Sequence, residues 1–324
     1  MRLPCHIFFM LLTFSYLNSI IIICTNVNIC DIGIATQLKN GEVMYIDFHV
    51  HAFVDEIAER AVSKLKNTML NSNYPNPKMP VTNGTINELI AKLDEWGVDA
   101  GVLLPIATKP SQQTSINNWA AQIQLDSFNY DKASHKAKLY CYGTVHPNAE
   151  DIFEELERIK SLGLKGIKFH PDYQEFFADE DRMFPIYKKC AELNLPVIFH
   201  AGLDCLSMEL IHCTPKMGAN ICSNVPELTF IMAHLGGNSC WDDVEEYLVG
   251  RNVYLDTAFI AGALPDEQIL RIIKNHGADK ILLASDCPWD STADEIDLIN
   301  RLDLSDEEKD MIFYKNALKL LTFA

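Results

Sequence analysis

Basic residues are scarce in this chain: 27 Lys and Arg stand against 44 Asp and Glu in 324 residues, a formal net charge of −17. A nucleic-acid groove needs a basic footprint, so the composition argues against a polyanionic partner. No Cys-x-x-Cys pair occurs among the ten cysteines, and their spacing is irregular. A chain this long needs no disulfide staples, so ordinary thiols in a reducing compartment are expected. A Gly-rich phosphate turn is also missing after the first strand candidate, which counts against a dinucleotide-binding sheet. There is no internal repeat, and no linker within 44–324. What the chain does have is apolar content, 48% of residues, enough for a large core.

Residues 7–24 (IFFMLLTFSYLNSIIIIC) form an apolar stretch after Arg2, broken by Thr13, Ser15, Asn18 and Ser19. It resembles a signal sequence or a marginal anchor, without an A-x-A cleavage site. Residues 1–43 are therefore read as a hydrophobic leader or an extension outside the domain, and 44–324 as one domain. The leader contributes Arg2, Lys39, Asp31 and Glu42, so the acidic excess belongs to the domain. A cytoplasmic location is expected, with a secretory or membrane-anchored one if residues 1–30 prove to be a targeting signal.

After Met44, apolar runs alternate with amphipathic stretches. Strand candidates are 45–51, 100–106, 139–146, 164–170, 196–201, 228–235, 253–258 and 280–286. Near-continuous apolar runs suit parallel strands buried on both faces. Apolar spacing of three and four predicts helices over 85–97, 149–162, 182–194, 241–250 and 266–276, and Ser305 with Glu308 makes a capping-box pattern opening 305–321. Eight strands with helical crossovers predict a single (β/α)8 TIM barrel. Residues 71–84 read as a long loop that could serve as a lid. Loops at 107–116, 172–181 and 203–223 are expected to set specificity.

Six of the ten histidines, namely His49, His51, His146, His170, His200 and His234, fall at the ends of strand candidates. In a barrel those ends converge on one mouth. Period-two alternation places Asp47, His49 and His51 on one face of the first strand. His200 in FHAG and Asp286 in SDCPW end the fifth and eighth strands. Together they offer three neutral nitrogens and a carboxylate, a normal set for one divalent ion, Zn²⁺ first, with room for a water.

These residues bring a family into view. The chain resembles the amidohydrolase superfamily, in particular the amidohydrolase-related branch that includes aminocarboxymuconate semialdehyde decarboxylase. The matching elements are D-x-H-x-H from Asp47 to His51, K-F-H-P from Lys168, F-H-A-G from Phe199, A-H-L-G-G from Ala233 and S-D-C-P-W from Ser285. They run in the family's order and span nearly all of 44–324. The resemblance implies that His49, His51, His200 and Asp286 hold the metal and that His234 stays unligated as an acid/base. Binuclear members carry a carboxylated lysine at the end of the fourth strand. Here that strand ends in His170-Pro171, two residues beyond Lys168, which favours one metal.

On this reading a metal-activated water cleaves an amide, ester or lactone bond in a small molecule, with Asp286 accepting its proton. His234 polarises the carbonyl or protonates the leaving group, or else is scaffold. Lys168 and His170 contact an anionic substrate group, or Lys168 pairs with a carboxylate such as Asp47. His146 and Trp289 wall the site, Trp289 and Phe53 being equally suited to packing, and Cys287 is an inert buried thiol. The alternative is non-oxidative decarboxylation by the same ligand set. Few arginines lie near the strand ends, Arg182 and Arg251 falling in helix or loop, which tilts the reading toward hydrolysis. No nucleic-acid partner is expected, a membrane enters only if 7–24 is an anchor, and a homodimer is compatible with the sequence.

Overall fold

A computed structural model describes residues 43–75, 77–129 and 137–323. The leader assigned to 1–43 lies outside them but for Val43, as do His6 and His135. Eight short parallel strands are present: β1 Ile46–Val50, β2 Ala100–Leu103, β3 Lys138–Cys141, β4 Ile167–Phe169, β5 Val197–Phe199, β6 Phe230–Met232, β7 Tyr254–Asp256 and β8 Ile281–Leu282. They form two arcs, β1-β2-β3 and β4-β5-β6-β7-β8. Backbone hydrogen bonds close the ring at both seams. Phe48 N–H donates to Leu283 (2.8 Å) and Asp286 N–H to His49 (2.8 Å) between β8 and β1, and Gly143 N–H donates to Gly166 (2.8 Å) between β3 and β4. The fold is the expected TIM barrel.

Every strand stops short of its sequence limits at the C-terminal end. There the chains flare into loops, and pairing continues only as single bonds such as His200 N–H to Phe169 (3.1 Å) and Leu235 N–H to Asp256 (2.7 Å). Of the six histidines, only His49 lies within a strand; the others follow one.

The crossover helices are α1 Ala58–Asn71, α2 Ile86–Glu95, α3 Gln113–Asn129, α4 Ile152–Ser161, the single turn α5 Pro171–Gln174, α6 Phe184–Glu192, α7 Pro215–Asn224, α8 Trp241–Tyr247, α9 Asp266–His276 and α10 Thr292–Arg301. In α9, Ile269, Ile272 and Ile273 are fully buried, each worth about 1.5–3 kcal/mol of burial. The capping box at Ser305 and Glu308 is present and opens α11 Asp306–Asp310. A π-helical turn and α12 Asn316–Phe323 follow. Among the described residues no helix is long and apolar enough to cross a membrane, and all seven of their cysteines are free thiols.

Besides α1 and the single turn α5, three helices fall outside the predicted ranges. α7 occupies the C-terminal part of what reads as loop 203–223; Thr214 caps it through Met217 N–H, with Pro215 in its first turn. α10 is likewise capped by Ser291. α3 lacks a plain apolar stripe because its buried face, Ala120 apart, is polar: Gln113, Asn117, Gln124 and Ser127. These side chains accept from the strand edge that β4 leaves unpaired. Leu139 N–H donates to Ser127 Oγ (2.7 Å), Cys141 N–H to Gln124 Oε1 (2.9 Å) and Thr144 N–H to Asn117 Oδ1 (2.8 Å). The helix plugs the β3–β4 seam, so periodicity alone could not find it.

Strand residues alternate between two buried layers. Val50, Leu103, Phe169, Phe199, Met232 and Leu255 pack outward against the helices. Phe48 and Tyr142 meet edge to face at 5.8 Å although their strands are not neighbours, so they fill the barrel interior.

Candidate active site at the barrel mouth

β1 does not keep strict alternation. Asp47 pairs in register with Gly101 and Val50 with Leu103, a one-residue slip that marks a bulge. Asp47 therefore faces the helices, where Ser285 Oγ (2.6 Å) and Thr292 Oγ1 (2.5 Å) donate to its carboxylate. His49 turns into the barrel. The expectation that Asp47, His49 and His51 share a face fails at this bulge, and Asp47 is not the partner of Lys168.

His51 Nδ1 lies 2.8 Å from the Leu104 carbonyl, which can only accept, so that nitrogen carries the ring proton. His49 Nδ1 lies 2.8 Å from Asp256 Oδ2. The other Asp256 oxygen accepts the amides of His234 (2.8 Å) and Ala258 (3.1 Å). With both protons on Nδ1, the two Nε2 atoms face each other as bare lone pairs 3.0 Å apart. Asp286 Oδ1 stands 3.4 and 3.2 Å from them. Three electron-rich atoms crowd together favourably only around positive charge. Some comes from the fully buried Lys168, whose Nζ lies 3.1 Å from His49 Nε2. Two neutral nitrogens and one carboxylate are the donor set of a catalytic divalent ion with an open position, and the residues fit one.

The electrostatics follow from burial. It drives His49 well below its ordinary value, with Lys168 and the neighbouring imidazoles adding to the shift. It lowers the Lys168 ammonium, against which Asp286 and Asp256 pull. It raises Asp256, which Lys168 opposes.

His200 is not in this group. Its Nδ1 lies 3.0 Å from His234 Nε2, while His234 Nδ1 donates to the Ala258 carbonyl at 2.9 Å. His234 Nε2 is therefore an acceptor, His200 Nδ1 is the donor, and His200 Nε2 is a lone pair. That atom is buried without a hydrogen-bond partner. His200 instead joins His170 and Asp204, all three buried, with ligand atoms within 4.8 Å of one another. The expected four-ligand set thus divides: three members converge, and the fourth is drawn aside by His234 and by stacking on His170 at 4.2 Å. Burial pushes the Asp204 carboxyl up to about 7, although the Leu206 amide holds it down.

His234 stands between the groups, its ring 5.5 Å from His49 and 4.8 Å from His200. It has φ +60° and Asp286 φ +67°. Left-handed backbone costs non-glycine residues roughly 1–2 kcal/mol each and collects at functional sites. Gly202 meets a different demand: a Cβ there would lie 2.2 Å from the Asn238 nitrogen, so only glycine lets the β5 and β6 loops touch.

His146 lies away from both groups; its electrostatic neighbours are Arg182 and Glu175. Trp289 sits in the turn after β8, its amide donating to the Asp286 carbonyl (2.9 Å), and is partly buried. Cys287 is fully buried, its thiol pushed well up by burial. Sequence reasoning missed Asp256, Asp204, Tyr173 and Tyr74. Tyr173 stacks on His170 at 3.6 Å, and Tyr74, from the loop after α1, accepts from Asn238 in the loop after β6. A carboxylate ending the seventh strand candidate was the available signal for Asp256.

These features define a TIM barrel with a cluster of imidazoles and carboxylates at its C-terminal mouth, where that fold carries active sites. The chain belongs to the amidohydrolase family, whose model matches residues 46–323. No curated protein matches it. Solved structures share the fold at low identity. An uncharacterised TIM-barrel protein from Bordetella bronchiseptica is 15% identical with a TM-score of 0.65, over 86% of this chain and 99% of that one. A 2,6-dihydroxybenzoate decarboxylase from Rhizobium is 14% identical, TM-score 0.60, over 87% and 99%. A 5-carboxyvanillate decarboxylase from Novosphingobium aromaticivorans, complexed with manganese and a nitrobenzoic acid, is 18% identical, TM-score 0.61, over 88% and 98%.

Proposed function

We propose that this protein is a metal-dependent carboxy-lyase that removes a carboxyl group, without oxidation, from a small carboxylated molecule. The observation that carries the reading is the convergence of His49 Nε2, His51 Nε2 and Asp286 Oδ1 beside the buried Lys168. His49, His51 and Asp286 would hold a divalent ion, with zinc and manganese as the candidates. When bound, it would supply positive charge to the substrate's oxygen atoms. Decarboxylases recur among the similar structures, one of them with manganese, which favours the second of the two activities expected from sequence. The shortage of arginine is no obstacle, because Lys168 brings a cation inside the barrel. Arg182 is taken up by Glu180 and Asn148, and Arg251 by the Tyr247 carbonyl.

The chain's own groups then divide the work. Lys168 offsets carboxylate charge in a site from which water is largely excluded. His234 keeps its Nδ1–H on Ala258 and accepts from His200 at Nε2; taking up a proton at Nε2 in place of that bond, it would deliver it to the carbon that loses the carboxyl group. Asp256 fixes His49 in the tautomer that leaves Nε2 bare.

The test is to count metal per chain and then assay carbon dioxide release from aromatic and unsaturated carboxylates beside ester, lactone and amide panels. About one ion at the trio, and carbon dioxide release lost in His51→Ala, is the expected result. Turnover of esters, lactones or amides without carbon dioxide would restore the hydrolase, and failure to bind any ion would end both readings.

A further inference from the structure

We propose that Tyr74 is a substrate-binding residue that donates its phenolic proton to the carboxylate of the bound acid. The proposal rests on the carboxy-lyase reading and adds a contact from outside the strand ends. Tyr74 belongs to the loop after α1, yet its electrostatic neighbours are Asp204 and Asp286, which follow β5 and β8. Its side chain therefore stands at the mouth, beside one member of the trio.

The protons of Asn238 show that the phenol has a donor to spare. Asn238 is pinned by its backbone, its N–H donating to the Ala201 carbonyl (2.9 Å) and its carbonyl accepting from Leu203 N–H (2.9 Å). One terminal atom of its side chain lies 2.9 Å from the Leu203 carbonyl, which can only accept, so that atom is the amide nitrogen. Ser239 Oγ donates to the other, Oδ1, at 3.3 Å. The second proton of the nitrogen goes to Tyr74 Oη. An amide nitrogen accepts nothing, so Tyr74 is the acceptor in this pair and its own proton is unspent. Among the described residues no acceptor takes that proton.

The loop that carries Tyr74 is tied down on three sides. Asn238 holds it to the loop after β6. Lys78 Nζ donates to the Ala261 carbonyl at 3.0 Å and lies 4.7 Å above the Phe259 ring, both in the loop after β7. Lys78 also pairs with Asp290, and Val81 N–H donates to the Pro288 carbonyl (2.7 Å), both in the turn after β8. A donor held in place before the substrate arrives loses little freedom on binding.

A neutral donor suits this position. Burial pushes the phenol's pKa well up, and Asp204 and Asp286 add to the shift, so the hydroxyl keeps its proton. A carboxylate entering beside Asp286 meets negative charge, which the fully buried Lys168 offsets from inside the barrel. Tyr74, only partly buried, would grip the same group from the rim. Hydrogen bonds to a charged acceptor are roughly twice as strong as neutral ones.

The experiment is calorimetric titration of the full, manganese-loaded chain with acetate, sorbate and benzoate. It compares wild type, Tyr74→Phe and a chain carrying 3-fluorotyrosine in place of Tyr74. Fluorination makes a phenol a better donor and a poorer acceptor. The tightest carboxylate should bind Tyr74→Phe at least about 10-fold more weakly than wild type, and the fluorinated chain more tightly, with the ion count unchanged. Equal affinity in wild type and Tyr74→Phe overturns the proposal, as does failure of all three carboxylates to bind the wild-type chain. A fluorinated chain no tighter than wild type also overturns it, leaving Tyr74 as an acceptor that steadies Asn238. Failure of the carboxy-lyase reading is scored separately, by ion binding and carbon dioxide release in the wild-type chain.

Discussion

Replacing Asp256 by asparagine changes one atom and reverses a hydrogen bond. Asp256 Oδ1 serves two backbone amides, at 2.8 and 3.1 Å, and its Oδ2 meets His49 Nδ1 at 2.8 Å. In Asp256→Asn the carbonyl oxygen stays with the amides, so the new NH2 points at His49 Nδ1–H, donor against donor. The relief is for His49 to move its proton to Nε2. That fills the lone pair through which His49 would hold an ion, and places N–H 3.0 Å from His51 Nε2. Partners of this kind typically govern 10–100-fold in metal affinity, about 1.4–2.8 kcal/mol. Competition with a chromogenic chelator measures the affinity, and nitrogen-15 imidazole shifts of the apo protein report the tautomer. We expect weakening in that range with His49 protonated on Nε2. An affinity within about 2-fold and an unchanged tautomer would refute the argument, because they would show Asp256 already donating as a neutral acid.

Two further outcomes follow from the geometry. His200→Gln should still bind about one ion per chain while His51→Ala does not, as counted by plasma mass spectrometry; loss of the ion in both would reinstate His200 as a ligand. Burial pushes the Asp47 carboxyl up to about 6, from an ordinary value near 3.9, so the folded chain holds its proton more tightly than the unfolded chain. This contribution therefore favours folding at low pH and is lost as pH rises from about 4 to 6, by roughly 3 kcal/mol. Urea titrations at several pH values should show the wild-type advantage over Asp47→Asn shrinking as pH rises, and a widening gap would contradict it.

Much of the architecture could be read in the amino-acid order, because near-continuous apolar runs mark parallel strands and α2, α4 and α9 carry plain apolar stripes. α3 could not, since its buried face is amide and hydroxyl and its purpose depends on a strand edge more than ten residues away. At the mouth, H-x-H and the terminal aspartate were legible because strand ends converge in this fold. His200 stands apart from the trio, because sequence order says which strand end bears an imidazole but not which neighbour holds its other nitrogen. The β1 bulge hid the true face of Asp47 for a similar reason: alternation counts residues and cannot see a slip in register. Asp204 lies in a loop, where no period applies.

The side-chain plug supplied by α3 also affects how the barrel breathes. Where Ser127, Gln124 and Asn117 stand in for strand partners, amides are held by side chains that can swing away one at a time, whereas ladder bonds must break together. The amides of Leu139, Cys141 and Thr144 should exchange with solvent before their neighbours on β2. The staves would then part first along that line, making it the natural place to split the chain into two complementing fragments.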